Sequence, residues 1–97
     1  MSRYVVLLKF TQQGMAQVGE SLERAEAFKA AAEKAGATIE GQYWTTGPYD
    51  GVLILNAKDE PTAAALVLQY GRDTNVTTCM LRTFAAGELR AALGNMK

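Results

Sequence analysis

Hydrophobic and polar residues follow one another along the chain in segments that are typical of four strands. YVVLLKF (4–10) is short, apolar and β-branched, as expected for a largely buried strand. ATIEGQYWTT (37–46), GVLILNA (51–57) and NVTTCMLRTF (75–84) predict three more strands. Only a Gly-Pro-Tyr-Asp turn (47–50) separates the second strand from the third, so we expect these two to be antiparallel neighbours.

Two longer segments carry helix signals. SLERAEAFKAAAEKAG (21–36) begins with a serine that can act as an N-cap and ends at a glycine. KDEPTAAALVLQYG (58–71) has Asp59 as its N-cap candidate, Pro61 in the first turn and Gly71 at its predicted end. In the first helix the apolar stripe is formed by Leu22, Ala25, Phe28, Ala32 and Ala35.

With a short terminal helix at AAGELRAAL (85–93), the predicted order is β-α-β-β-α-β plus one helix. This is the order of the ferredoxin-like α+β fold. We therefore predict one domain over residues 1–97, with a four-stranded antiparallel sheet and both long helices on one face. The opposite face would be left uncovered, so function or assembly is expected to involve it.

Charged residues indicate which strand side chains lie on the uncovered face, because burying an unpaired charge costs several kcal/mol. Leu53 and Leu55 are assigned to the uncovered face, and Cys79 to the helix-covered face as a buried thiol. Such a mixed face is too apolar to remain in water, so we expect a second copy of the chain to cover it in a homodimer or higher oligomer. The other residues assigned to the uncovered face are Lys9, Glu40, Gln42, Trp44, Thr78, Met80 and Arg82.

Composition narrows the functional classes. Ten basic and ten acidic residues cancel, so there is no charge signature for a nucleic acid or an anionic membrane. No apolar run approaches the ~20 residues of a spanning helix, no secretory leader is evident, and one cysteine suits a cytoplasmic protein. The chain contains no histidine, which excludes histidine catalysis and histidine-ligated zinc or haem. We expect no metal site and no cofactor.

One segment has the spacing of a phosphate-binding loop. GMAQVGES (14–21) follows a strand and precedes a helix, but Glu20 stands where such a loop carries lysine. A carboxylate there would repel phosphate, so we interpret the segment as a connector.

YWTTGPYDG (43–51), together with YVVLLKFT near the start and ERAEAFKAAAEKAG between them, resembles the GYD-domain family. Pro48 interrupts the Gly-Tyr-Asp tripeptide for which the family is named, while Tyr-Asp-Gly remains. The resemblance implies a small bacterial protein with a fold of the dimeric α/β-barrel group. That group includes cofactor-free monooxygenases, haem-handling proteins and small-molecule sensors, and the chain matches no catalytic motif from them.

Two functions are compatible with these observations. The first is an oligomeric module without enzymatic activity that binds a small molecule between two sheets or serves in assembly. The alternative is a cofactor-free oxygenase or isomerase, with Lys9 or Arg82 stabilising an anion, Glu40 or Asp50 accepting a proton, and Trp44 and Tyr49 positioning a planar substrate. Asp50 also has a structural interpretation, since turn carboxylates often accept backbone hydrogen bonds. The pocket candidates are Lys9, Glu40, Gln42, Trp44, Tyr49, Asp50, Thr78 and Arg82.

Overall fold

A computed structural model describes residues 1–97 and contains four strands and four α-helices. The strands are β1 (Ser2–Phe10), β2 (Thr38–Trp44), β3 (Gly51–Ala57) and β4 (Val76–Arg82). The helices are α1 (Gln12–Ala16), α2 (Ser21–Lys34), α3 (Glu60–Thr74) and α4 (Ala86–Gly94), with a 3-10 turn at Val18–Glu20. None of these helices is long and apolar enough to cross a membrane.

The strands form one antiparallel sheet in the order β2-β3-β1-β4. The long helices α2 and α3 pack on the same side of it, where Phe28 and Tyr70 share a core with Tyr4, Val6 and Leu8. The two aromatic rings are tilted against each other with centroids 4.4 Å apart. The predicted α+β architecture with a four-stranded antiparallel sheet is therefore confirmed.

The assignment of Leu53 and Leu55 to the uncovered face is wrong. They are 1% and 0% exposed and lie opposite Val6 and Tyr4, beneath the helices. β3 contains no charged residue, so its two apolar sets could not be told apart from charge alone. The alternate set, which includes Val52 and Ile54, faces away from the helices and is only half-buried.

Gln42 and Trp44 also lie on the helix side, contrary to expectation. A β-bulge between Ile39 and Gly41 inserts Glu40 as an extra residue into β2. The bulge reverses the alternation beyond it, so Gln42 is opposite Leu53 in the core while the Glu40 side chain turns to the other face.

In β4 the two faces are exchanged relative to the prediction. Thr78, Met80 and Arg82 lie opposite Leu8, Val6 and Tyr4, on the helix side. Arg82 is accommodated there because it sits at the strand end, where its guanidinium reaches partly into solvent and pairs with a carboxylate. Cys79 is exposed on the other face, opposite Leu7, instead of being buried.

We use the term open face for the side of the sheet that points away from α2 and α3. Pairing registers place on it the side chains of Arg3, Val5, Leu7, Lys9, Thr38, Tyr43, Val52, Ile54, Asn56, Thr77, Cys79 and Leu81.

The helix ends follow the sequence signals in part. The Asp59 carboxylate caps α3 by accepting from the Thr62 amide at 2.8 Å, as predicted. α3 continues one turn beyond Gly71 and ends at Asn75, which takes a left-handed conformation with φ of 56°. Ser21 is the first residue of α2 rather than its cap. Of the predicted stripe in α2, the first and last members, Leu22 and Ala35, are exposed.

The connector after β1 folds into α1, capped by Thr11, whose Oγ1 accepts from the Gly14 amide at 3.1 Å. A Cβ atom at Gly14 would lie only 2.2 Å from the Asn75 carbonyl oxygen. Glycine is thus required for close packing against the end of α3, and not for holding a phosphate.

α4 lies outside the core, and none of its residues is buried. The chain exposes 6257 Å², whereas a compact protein of this mass exposes about 5,400 Å². The radius of gyration of its Cα atoms is 14.5 Å, against about 12.5 Å for a compact chain of this length. The chain thus exposes more surface than a compact protein of its size.

Candidate functional site

The turn between β2 and β3 is fastened to β1 through Asp50. The Asp50 amide donates to the Leu8 carbonyl at 2.8 Å, and its carboxylate oxygen Oδ2 accepts from the Phe10 amide at 2.8 Å. β1 extends past the start of β3, so the Phe10 amide has no partner there on a neighbouring strand, and the Asp50 side chain provides one. Asp50 therefore has the structural role that its position in a turn suggested.

Further hydrogen bonds fix the shape of the turn. Thr45 donates through its amide to the Asp50 carbonyl at 2.9 Å and through Oγ1 to the Tyr49 carbonyl at 2.7 Å. Gly47 has a φ of 114°, a conformation that favours glycine. Tyr49 is thereby held at the tip of the turn with 41% of its surface exposed.

A groove of about 340 Å³ lies where this turn meets the open face. Leu7 and Val52, a cross-strand pair, contribute from the sheet, and Pro48 and Tyr49 contribute from the turn. Its surface is almost entirely apolar. We call this cavity the turn groove; its residues are Leu7, Thr45, Thr46, Pro48, Tyr49, Gly51 and Val52.

Lys9 lies at the edge of the turn groove. Its Nζ atom donates to the Pro48 carbonyl at 3.2 Å, and no carboxylate lies within 4.0 Å of it. The Lys9 side chain is exposed and on the open face, as predicted. Of the candidate residues, Lys9, Tyr49 and Asp50 are brought together at this end of the sheet.

The other end of the open face carries an ion pair. The Arg3 guanidinium donates to both carboxylate oxygens of Glu40, through Nε at 2.5 Å and through a terminal nitrogen at 3.1 Å. The hydrogen bond from Arg3 lowers the pKa of Glu40 below its ordinary value, with a smaller contribution from Asn56. Glu40 is on the open face, but five residues of β1 lie between its partner Arg3 and Lys9.

Gln42 and Trp44 are on the opposite side of the sheet from Lys9. Gln42 Nε2 donates to the Tyr70 hydroxyl at 3.1 Å, and Trp44 Nε1 donates to Ser21 Oγ at 3.1 Å. Burial raises the pKa of Tyr70 above its ordinary value. The two side chains therefore connect β2 to α3 and α2.

Arg82 links the sheet to α4. Its guanidinium donates to Glu88 at 2.8 Å and to the Thr83 carbonyl, and lies 4.8 Å from the centre of the Phe84 ring. The pair with Arg82 lowers the pKa of Glu88. Thr78 is half-buried on the helix side of β4. In the enzyme hypothesis, Arg82 is the alternative to Lys9 and Glu40 the alternative to Asp50. Both residues lie away from the turn groove, and they are also in different places from each other.

The turn groove contains three residues that are not among the predicted candidates, Leu7, Pro48 and Val52. For Leu7 the sequence does contain a signal, because side chains alternate between the two faces of a strand. Arg3 and Lys9 are charged and odd-numbered, so Val5 and Leu7 lie on the same face as these two charges. Pairing Leu7 with Val52 required the register, which the sequence does not give. No cluster of three or more histidine, cysteine, aspartate or glutamate residues could hold a metal ion.

The fold and the fastened turn define a small α+β protein with one uncovered sheet face. The chain belongs to the GYD domain family, whose model matches residues 4–93 and so covers nearly the whole chain. No curated protein and no solved structure matches the chain.

Proposed function

We propose that this protein is a self-associating module whose open face packs against the open face of a second copy, and that it binds a small molecule at the turn groove. The strand order β2-β3-β1-β4 supports a ferredoxin-like subunit of the dimeric α/β-barrel type. The single observation that carries the proposal is the apolar centre of the open face.

That centre is continuous across three strands. Val5 and Leu7 of β1 lie between Val52 and Ile54 of β3 on one side and Cys79 and Leu81 of β4 on the other. Leu81 is 45% exposed, and charged residues are confined to the two ends of the face. Antiparallel sheets with one solvated face normally carry polar residues there, so an apolar centre favours a protein neighbour.

The chain as a whole, including the exposed helix α4, also has more surface than a compact monomer. The exposed area of 6257 Å² is about 800 Å² more than a compact monomer of this mass would have. A standard interface buries about 800 Å² on each partner. Because the face is apolar and its net charge is small, a second copy of the chain is the partner we propose.

Cys79 provides a probe for this interface, since it is the only cysteine and lies in the apolar centre. We expect sedimentation equilibrium to show a dimer or higher oligomer, and maleimide labelling of Cys79 to slow as protein concentration rises. Leu81→Lys should give a monomer that is labelled rapidly and has an unchanged far-UV circular dichroism spectrum, because the substitution adds a charge to the interface.

Leu68→Lys is the matched control. Leu68 is 73% exposed on α3, on the other side of the sheet, so this variant should associate and protect Cys79 as the wild type does. A wild-type chain that stays monomeric at all concentrations, with a thiol as reactive as free cysteine, would contradict the proposal.

A further inference from the structure

We infer that the turn groove takes a small organic monocarboxylate with an apolar body, and that the Lys9 ammonium binds its carboxylate. This inference rests on the proposed function, since a second copy on the open face would shelter the groove from water. It adds the chemical class of the ligand and the residue that selects it.

The shape and surface of the groove define the apolar part of the ligand. Its volume of about 340 Å³ is within the range of small-molecule sites. Leu7 and Val52 form an aliphatic floor, and the exposed ring of Tyr49 stands at its side. A planar or short aliphatic group fits this lining, whereas a sugar or a nucleotide would leave many polar groups without partners.

The charge at the edge defines the polar part of the ligand. Lys9 donates one hydrogen bond to the Pro48 carbonyl at 3.2 Å, which orients its ammonium towards the turn. An ammonium has three donors, so two remain for a ligand. Since no carboxylate of the chain lies within 4.0 Å, a ligand carboxylate would supply the missing opposite charge.

Tyr49 adds a second polar contact. Its hydroxyl makes no hydrogen bond within the chain, although the backbone around it is fully fixed by Thr45 and Asp50. The hydroxyl can therefore donate to the same carboxylate or to a second acceptor on the ligand.

The cavity between α2 and α3 lacks this combination. It measures about 250 Å³ and contains Arg24, whose guanidinium already donates to the Thr74 carbonyl and to Gln17 Oε1. The Glu20 carboxylate is also 3.5 Å from it. Arg24 is thus neutralised within the chain, and the turn groove is the better anion site.

The test is a nuclear magnetic resonance titration of the ¹⁵N-labelled full chain with phenylacetate and with phenylacetamide, its neutral isostere. Phenylacetate should shift the amide signals of residues 45–52 and Lys9, and phenylacetamide should bind about tenfold more weakly because it lacks the charge. Lys9→Gln should remove this preference while leaving the remaining spectrum unchanged. Lys58→Gln, which removes an exposed lysine at the other end of β3, should retain it.

Equal affinity for the acid and the amide, a preference that survives Lys9→Gln, or shifts confined to the α2–α3 cavity would each overturn the inference. The oligomeric state in the same samples separates it from the proposed function. A dimer that binds neither compound would overturn the inferred ligand class and leave self-association standing. A monomer that shows the Lys9-dependent preference would overturn self-association and the shelter it provides, and leave the ligand class and the role of Lys9 standing.

Discussion

At the scale of single residues, the Asp50 carboxylate accepts a backbone hydrogen bond that a neighbouring strand would otherwise accept. It accepts from the Phe10 amide at 2.8 Å, at the end of β1 where β3 has not yet begun. The same residue donates its own amide to Leu8. Asp50 thus attaches the turn, and with it the wall of the turn groove, to β1 through both its side chain and its backbone amide.

Replacing Asp50 should therefore destabilise the fold. Asp50→Ala leaves a half-buried amide without an acceptor, which costs about 1–3 kcal/mol in the free energy of unfolding. In a domain of this size each kcal/mol lowers the Tm by about 4–8 °C. Asp50→Asn keeps an acceptor oxygen and should lose less, as measured by thermal denaturation.

Asp73→Asn is the control. The Asp73 carboxylate accepts hydrogen bonds only from its exposed neighbour Arg72, so this substitution should leave the Tm unchanged. If Asp50→Ala melted with the wild type, the carboxylate would have no structural role.

Alternation placed residues on the correct face in β1 and in β2 as far as the bulge. It failed in β3, which has no charged residue, and in β4, where Arg82 lies on the helix side. Lys9 and Glu40 are on the open face as predicted. Gln42 and Trp44 are not, because the bulge at Glu40 adds one residue and reverses every later side chain in β2. Gly41 is the local signal of this bulge, because an isolated glycine inside a strand often marks one.

At the scale of elements, the caps decide where helices begin. Asp59 accepts from the Thr62 amide, and this hydrogen bond lowers the pKa of the Asp59 carboxyl below its ordinary value. A lowered pKa in the folded state means that the ionised cap stabilises α3 above the ordinary aspartate range. The contribution is lost as the pH falls through the folded-state pKa.

The difference in Tm between wild type and Asp59→Asn should accordingly depend on pH. Asparagine also caps but cannot ionise, so the wild type should melt a few degrees higher near pH 6 and the gap should close below about pH 4. Thermal melts from pH 6 to pH 2.5 measure it. Glu26→Gln, in the middle of α2 and away from both of its caps, should show no such closing gap. A constant gap for Asp59→Asn would contradict the role of its charge.

Helix signals in the sequence were sufficient for the start of α3 but not for its end. Gly71 predicts the end of α3, yet the helix continues for another turn, in which Thr74 Oγ1 donates to the Tyr70 carbonyl at 2.6 Å. Asn75 then ends the helix in the left-handed conformation that glycine usually supplies. The sequence contains both Gly71 and Asn75, but glycine is the more common residue at a helix end, so it predicts the earlier stop.

At the scale of the whole molecule, α4 is the element that makes the subunit extended. It has only nine residues, and helices this short are marginal in water unless they pack against something. Leu89 and Leu93 are one turn apart and exposed, so they form an apolar stripe without a partner in its own subunit. The second copy proposed above would provide a surface for this stripe.

We therefore expect Leu89→Ser combined with Leu93→Ser to weaken self-association. The subunit core contains neither residue, so the core should stay folded while sedimentation equilibrium shifts towards monomer by at least about tenfold. The pair Leu22→Ser and Leu68→Ser, also exposed but on α2 and α3, is the control. Equal dissociation constants for both pairs would show that α4 does not contact the second copy.

Arg82 gives this terminal helix a defined direction. Its guanidinium lies against the Phe84 ring and holds one oxygen of Glu88, whose other oxygen accepts from the Ala85 amide at 3.1 Å. These contacts therefore fix the orientation of α4 relative to the end of β4. If the proposed second copy binds α4, the fixed orientation of this helix would reduce the conformational entropy lost on docking, compared with a disordered segment.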